Sequence, residues 1–200
     1  MILEEEKDIV EVIKKDSWMM DVLKTAKILD LPDWWICAGF VRSKVWDVLH
    51  NFNARTPLPD IDVIYFDSSN INELEEKNLE RKLRSLMPNI PWSVKNQARM
   101  HVLNNMSPYT SSIDGISKFP ETATALGVKL DEKDNLLLAA PWGVKDVINL
   151  KVKPTPYYLE TDTRISIYEN RVIKKGWNSI WRKIEVFEIG KILQNKENSH

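Results

Sequence analysis

The stretch Trp35-Ile36-Cys37-Ala38-Gly39-Phe40-Val41-Arg42, followed after a loop by Asp60-Ile61-Asp62-Val63-Ile64-Tyr65-Phe66, decides how this chain is read. The first segment is an apolar run, a central strand at Trp34 to Ala38, that stops at a glycine. Helical spacing resumes at Val41, Val45, Val48 and Leu49. The second segment is a strand pattern opening with two carboxylates. Strand side chains alternate, so Asp60 and Asp62 share one face while Ile61, Val63 and Tyr65 share the other. Adjacent carboxylates repel unless a cation lies between them. Mg²⁺ prefers hard oxygen ligands, often one or two carboxylates completed by substrate phosphates. A glycine between strand and helix lets a ligand approach the backbone. The helix start beyond it offers free N–H groups and a partial positive charge to an anion. Arg42 adds a planar donor fork in the first turn. Taken alone, each half also fits a blander reading, a solvated Asp-x-Asp strand end or an ordinary glycine turn. Their order in one chain is what points to a metal-bound polyphosphate.

Outward from this pair, the chain alternates helices and strands. Residues 4–30 read as helical, with a cap at Asp16 or Ser17, and residues 71–87 form an amphipathic helix through Leu74, Leu79, Leu83 and Leu86. Residues 50–59 are a polar loop. Trp92 to Val102 reads as a strand, placing Gln97, Arg99 and His101 on one face beside Asn96. Short helices are expected near Asp114 to Lys118 and Glu121 to Leu126, a strand at Leu136 to Ala139, and a helical turn at Gly143 to Ile148. Residues 160–193 read as mostly helical, with Trp177 and Trp181 one turn apart in an apolar patch. The alternation gives an α+β (α/β-like) class, a mixed sheet flanked by helices with extra N- and C-terminal helices.

The 200 residues are 43% hydrophobic and 28% charged, enough to bury a core in one domain. The expected domain spans residues 1–193, with a core of about 17–153, a C-terminal helical extension of about 157–193 and a disordered tail at 194–200. Net charge is −1, with 28 basic against 29 acidic side chains. Such a balance argues against general affinity for nucleic-acid backbones, though not against a local patch. The single cysteine, Cys37, excludes an internal disulfide framework and reads as a buried, inert thiol. No apolar run approaches the ~20 residues that span a bilayer. Cytoplasm is the expected location.

The residues Gly39-Phe40-Val41-Arg42 and Asp60-Ile61-Asp62 resemble the DNA polymerase β-type nucleotidyltransferase superfamily, whose hallmark is a glycine motif at a helix start followed by Asp-x-Asp on the next strand. Three further segments resemble a bacterial nucleotidyltransferase-like family with no assigned substrate. They are Asp60 to Asp67, Asn96-Gln97-Ala98-Arg99-Met100-His101, and Pro141-Trp142-Gly143-Val144 with Asp146. That likeness covers most of residues 17–185 and implies a nucleotidyltransferase fold. It also implies a role for Asp60 and Asp62 as the catalytic, magnesium-binding pair, with two ions possible, and for Gly39, Phe40 and Arg42 as the triphosphate contact.

Three departures matter. Phe40 stands where many relatives have a second glycine or serine. Ser43 stands where the tRNA CCA-adding branch has aspartate, which makes that branch a poor guide to substrate. The loop at residues 50–59 is longer than usual. The third carboxylate common in the superfamily is absent from Trp92 to Val102, which leaves Asp114 or Asp146 as candidates.

The dense polar group Asn96, Gln97, Arg99 and His101 reads either as a contact to acceptor or nucleobase, or as a covered polar sheet face. Trp142 is the best placed of the tryptophans to stack on a base, although packing is the commoner role. The expected activity is Mg²⁺-dependent transfer of a nucleotidyl group from a nucleoside triphosphate to a small-molecule or protein acceptor, with no nucleic-acid or membrane partner. The alternatives are a degenerate nucleotide-binding module, or a protein-interaction module using the Trp177/Trp181 region.

Overall fold

The computed structural model describes residues 3–104 and 106–189. In chain order it contains α1 (Glu6–Lys14), α2 (Ser17–Lys27), β1 (Trp35–Cys37), α3 (Gly39–Leu49), β2 (Ile61–Tyr65), α4 (Glu73–Leu86), β3 (Trp92–Asn96) and α5 (Gln97–Asn104). These are followed by α6 (Ser112–Ser117), β4 (Gly127–Leu130), β5 (Leu136–Ala139), α7 (Lys145–Ile148), β6 (Lys151–Val152), α8 (Asp162–Lys175) and β7 (Glu185–Val186). Single 3₁₀ turns lie at Pro156–Leu159 and Trp177–Ser179. The tail expected at 194–200 and the last residues of the C-terminal extension lie outside the described residues. No described helix is long and apolar enough to cross a membrane.

Five strands form a mixed sheet in the order β3-β2-β1-β4-β5, in which β2 and β3 run parallel and the other pairs antiparallel. Ile61, Val63 and Tyr65 enter the main apolar cluster, together with α3 and the N-terminal helices. The opposite face carries Asp62 and Ile64. There a second, smaller cluster of Trp35, Cys37, Ile64, Ile116 and Ala125 covers part of the sheet. A one-residue slip of β2 would drive the aspartates into the core, so the alternation fixes which way they point.

Several expectations are corrected. Residues 97–102 are helical, because the Asn96 side chain accepts a hydrogen bond from the Ala98 N–H at 3.1 Å and so starts α5 as a cap would. Glu121 to Leu126 is a turn rather than a helix. Thr122 and Thr155 bond across to Lys153 and Pro120, and this bridge holds the segment extended at its start. Residues 160–193 are not one helix: α8 stops at Gly176, in the left-handed conformation at φ 53°. Trp177 and Trp181 are buried against Trp46, with ring centroids 5.7 and 5.1 Å from it, so they form core rather than an exposed interface.

The loop at residues 50–59 is tied down by one buried carboxylate. Asp47, on α3, accepts from the Thr56 N–H at 2.9 Å, the Thr56 hydroxyl at 2.6 Å and the Trp181 indole N–H at 2.8 Å. Asp16, the cap of α2, adds ion pairs to Lys44 at 2.8 Å and Arg55 at 2.7 Å. The loop leading to Asp60 and the C-terminal segment are therefore joined through α3. Asp47→Ala leaves buried donors without partners. It is expected to cost about 3 kcal/mol, with Asp47→Asn losing roughly half as much, measured by urea unfolding. Equal stability of all three proteins would show that the clasp does not hold the loop.

Candidate active site

The turn into α3 is made by Ala38, at φ 56° and ψ −115°, a conformation costly for a residue with a Cβ. Gly39 is already helical, which corrects the expectation that the glycine itself makes the turn. A Cβ built on Gly39 would sit 3.5 Å from Arg42 Nη2 and 3.9 Å from Leu58, so the missing side chain keeps the approach to Arg42 clear. The N–H groups of Val41 and Arg42 bond to the Ala38 carbonyl at 3.2 and 3.0 Å. Those of Gly39 and Phe40, at the helix start, have no acceptor within the helix. The Phe40 ring is buried against Trp18, 6.1 Å away, so only its backbone can serve a ligand.

Arg42 is 8% exposed and bonds to no carboxylate among the described residues. Its guanidinium lies 4.4 Å from the Trp177 ring centroid and 5.2 Å from that of Trp46. Nη2 reaches the Ser43 hydroxyl at 3.4 Å, and Nε is buried without a partner. Burial pulls its pKa down to about 10, against the opposing pull of Glu121, and it stays charged at neutral pH. A buried cation with an unsatisfied donor lacks a partner anion.

Asp60 and Asp62 stand close by. Burial, then the Asp60 charge, pushes Asp62 from the ordinary 3.8 to about 6, opposed by the Ser93 hydroxyl beside it on β3. No cation lies within ion-pair distance of either aspartate among the described residues. Two cavities meet at Asp62. One, of about 260 Å³, is bordered by Gly39, Arg42, Asp60, Asp62, Arg171 and Lys175. The other, of about 390 Å³, shares Ala38, Asp62 and Arg171 and extends to Gln97 and Tyr109.

Arg171 and Lys175 were not singled out from sequence. They lie one turn apart on α8, and only the packing of that helix brings them to β2. Glu121, fully buried, holds Arg171 by Nε at 2.7 Å. Tyr168 locks the helix, its hydroxyl 2.9 Å from the carbonyls of Val152 and Phe187. The only available signal was the i,i+4 basic spacing, which is common on solvated helices.

The other candidates fall into place differently. The side chain of Asn96 is used up internally: Oδ1 accepts from the N–H groups of Asp67 and Ala98, and Nδ2 donates to the carbonyls of Asp67 and Asn70. Arg99 binds buried Glu76 at 3.1 and 2.8 Å. His101 faces Tyr109 at 6.5 Å between ring centroids and has a buried Nδ1 with no partner. Of the four, Gln97 borders the larger cavity. Trp142 donates to the Ser117 carbonyl at 2.7 Å and borders neither cavity. Cys37 is buried, and burial pushes its thiol well above the usual range.

No third acid joins the pair among the described residues. On β3, Ser93 and Lys95 stand beside Asp62 and Ile64. Asp114 is held by Lys118 at 2.8 Å, and Asp146 by Lys153 at 2.8 Å and the Thr122 hydroxyl at 2.8 Å. No cluster of three His, Cys, Asp or Glu residues suited to a metal occurs among the described residues. The carboxylate pair therefore fits a magnesium ion that arrives with phosphate oxygens better than one bound by protein alone.

The helix opened at Gly39 thus faces two aspartates at the start of the neighbouring strand, Asp60 just before β2 and Asp62 within it. The family model described as nucleotidyltransferase matches residues 24–186, and the chain belongs to that family. A solved structure described as revealing a CCA-adding enzyme head domain is 36% identical, covering 92% of this chain and 97% of that one at a TM-score of 0.81. A CCA-adding enzyme in complex with CTP is 15% identical at a TM-score of 0.54, covering 100% of this chain and 47% of that one. The Thermotoga maritima CCA-adding enzyme complexed with tRNA is 14% identical at 0.51, covering 96% of this chain and 45% of that one. The last two share the fold alone, and the chain spans less than half their length. No curated protein matches.

The raised proton affinity of Asp62 has a measurable sign. Between about pH 4 and pH 6 the folded state holds a proton that the unfolded state has released, so stability falls as pH rises through that window. In metal-free buffer, Asp62→Asn removes the penalty. It is expected to be more stable than wild type at pH 8, by about 3 kcal/mol at most, with the gain shrinking toward pH 4. Urea unfolding across this range checks it, and a gain that does not change with pH contradicts it.

Proposed function

We propose that this cleft transfers a nucleotidyl group from a nucleoside triphosphate to an acceptor hydroxyl, with Asp60 and Asp62 holding magnesium. The observation that carries the reading is the pairing of opposite deficits. Among the described residues, Arg42 is a buried cation with no carboxylate partner, and beside it lie two carboxylates with no cation within ion-pair distance. A magnesium triphosphate satisfies both at once.

On this reading the β- and γ-phosphates lie in the smaller cavity, against the Gly39 and Phe40 N–H groups, Arg42 and Lys175. Arg171 keeps its outer nitrogens for phosphate while Nε stays on Glu121. Magnesium, held by Asp60 and Asp62, would polarise the α-phosphate and offset the charge of the leaving pyrophosphate. The protein supplies orientation and fixed positive charge, the main means of stabilising phosphoryl-type transfer. The near-neutral net charge favours a small-molecule or protein acceptor over nucleic acid.

The absence of an acid on β3 supports a second reading, in which the cleft binds triphosphate without transferring it. Pyrophosphate release separates the two. With each of the four nucleoside triphosphates, Mg²⁺ and a cell extract stripped of small nucleotides, release is expected to depend on the metal. Asp60→Ala or Asp62→Ala should cut it by at least about 100-fold. Arg42→Ala should weaken triphosphate affinity about tenfold or more. Triphosphate binding with no release in any extract would favour the second reading, and no binding of any triphosphate would remove both.

A further inference from the structure

The larger cavity, about 390 Å³, opens on the side of Asp62 away from Arg42 and Lys175. Its volume suits a small molecule. Its walls are of two kinds: Tyr109, Phe119 and Tyr158 contribute rings, Met100 and Met106 thioethers and Ile64 the sheet floor, while Asp62, Lys95, Gln97, Lys118 and Arg171 supply polar and charged groups. Thioethers and offset rings pack well against a flat apolar ligand. Ile167, Arg171 and Lys175 lie one turn apart along α8 and border the larger cavity, both cavities and the smaller cavity in turn, so one helix face runs along the whole cleft.

Charge narrows the choice of ligand. Three cations border the larger cavity, and each already has a carboxylate partner. Lys95 pairs with Glu76 at 3.4 Å, Lys118 with Asp114 at 2.8 Å and Arg171 with Glu121 at 2.7 Å. Single-stranded RNA needs uncompensated positive charge along its backbone as well as stacking rings, and this cavity offers the rings without the surplus charge. Gln97 contributes a polar group in a fixed place, its Oε1 packed where a Cβ on Gly115 would lie 2.6 Å away.

We propose that this cavity holds the acceptor, and that the acceptor is a small aromatic alcohol whose ring lies among Tyr109, Phe119 and Tyr158 and whose hydroxyl points to Asp62. The proposal rests on the nucleotidyl-transfer reading of the adjoining cavity. The acceptor oxygen bonds to the α-phosphorus, and the bond from that phosphorus to the β-phosphate oxygen breaks. Pyrophosphate leaves with the electron pair, and the hydroxyl proton passes to solvent, because Asp62 is taken up by magnesium on the same reading.

The test titrates 2-phenylethanol and 4-hydroxyphenylacetamide into the full-length protein with Mg²⁺ and a non-hydrolysable ATP analogue bound. A short single-stranded RNA and glucose run in parallel, all by calorimetry. Met100→Trp and the more exposed Ile167→Trp each fill the cavity. The aromatic alcohols are expected to bind wild type, and to bind both variants at least about tenfold more weakly, with analogue affinity within about twofold of wild type. RNA or glucose binding in place of the aromatics overturns the assignment, as does aromatic binding that neither variant weakens, or no binding by any probe. Failure of the ATP analogue to bind wild type is a separate result. It removes the nucleotide reading itself, and the acceptor role with it.

Discussion

Two like charges at the start of one strand, Asp60 just before β2 and Asp62 within it, are the constraint to which the rest of the cleft answers. Ile61, Val63 and Tyr65 anchor β2 in the core, so Asp60 and Asp62 cannot turn inward or slip out of register. Burial, and then their repulsion, raises the proton affinity of Asp62. The fold surrounds the pair with cations but, among the described residues, places none within ion-pair distance. Arg42 comes from the helix after β1, and Arg171 and Lys175 come from α8, far along the chain. A structural ion-pair network would have closed those gaps. Gaps of this kind, with charge held apart at fixed positions, suit a ligand that carries both signs.

Holding charge apart requires rigid supports, and these are buried carboxylates placed away from the ligand. Glu121 fixes Arg171 and, through the Thr124 hydroxyl, its own turn. Asp47 gathers the loop before Asp60 and the segment after α8 onto α3. Glu76 takes Arg99, Lys95 and the Asn96 N–H, fixing the end of β3 and the start of α5. Each joins elements distant in sequence at the edge of the cleft. The edge-to-face cluster of Trp46, Trp177 and Trp181 beside Arg42 does the same with apolar surface.

How much of this the sequence showed depends on whether the deciding contact was local. β1, β2 and α4 were legible because period-two and helical patterns express burial directly. The Asp60/Asp62 face followed from alternation alone. Strand and helix were confused at Gln97, where polar alternation ran on but the Asn96 amide capped a helix. β4 was missed because it is short and opens with Gly127, a residue that weakens a strand reading. A Cβ there would come within 2.9 Å of the Ile116 side-chain tip, so a larger residue would push that side chain aside. The turn itself was assigned to Gly39, whereas Ala38 adopts the strained conformation. Arg171 and Lys175 had no local signature, because their role comes from where α8 docks.

The account stands on a cleft built for a metal-bound triphosphate. The most direct measurement is calorimetric binding of a non-hydrolysable triphosphate to the metal-free protein and to the protein in Mg²⁺, for wild type and Asp62→Asn. The account predicts one site per chain, tight in wild type with Mg²⁺, and markedly weaker either without the metal or in the variant. Equal affinity with and without Mg²⁺, or affinity unchanged in Asp62→Asn, would contradict it.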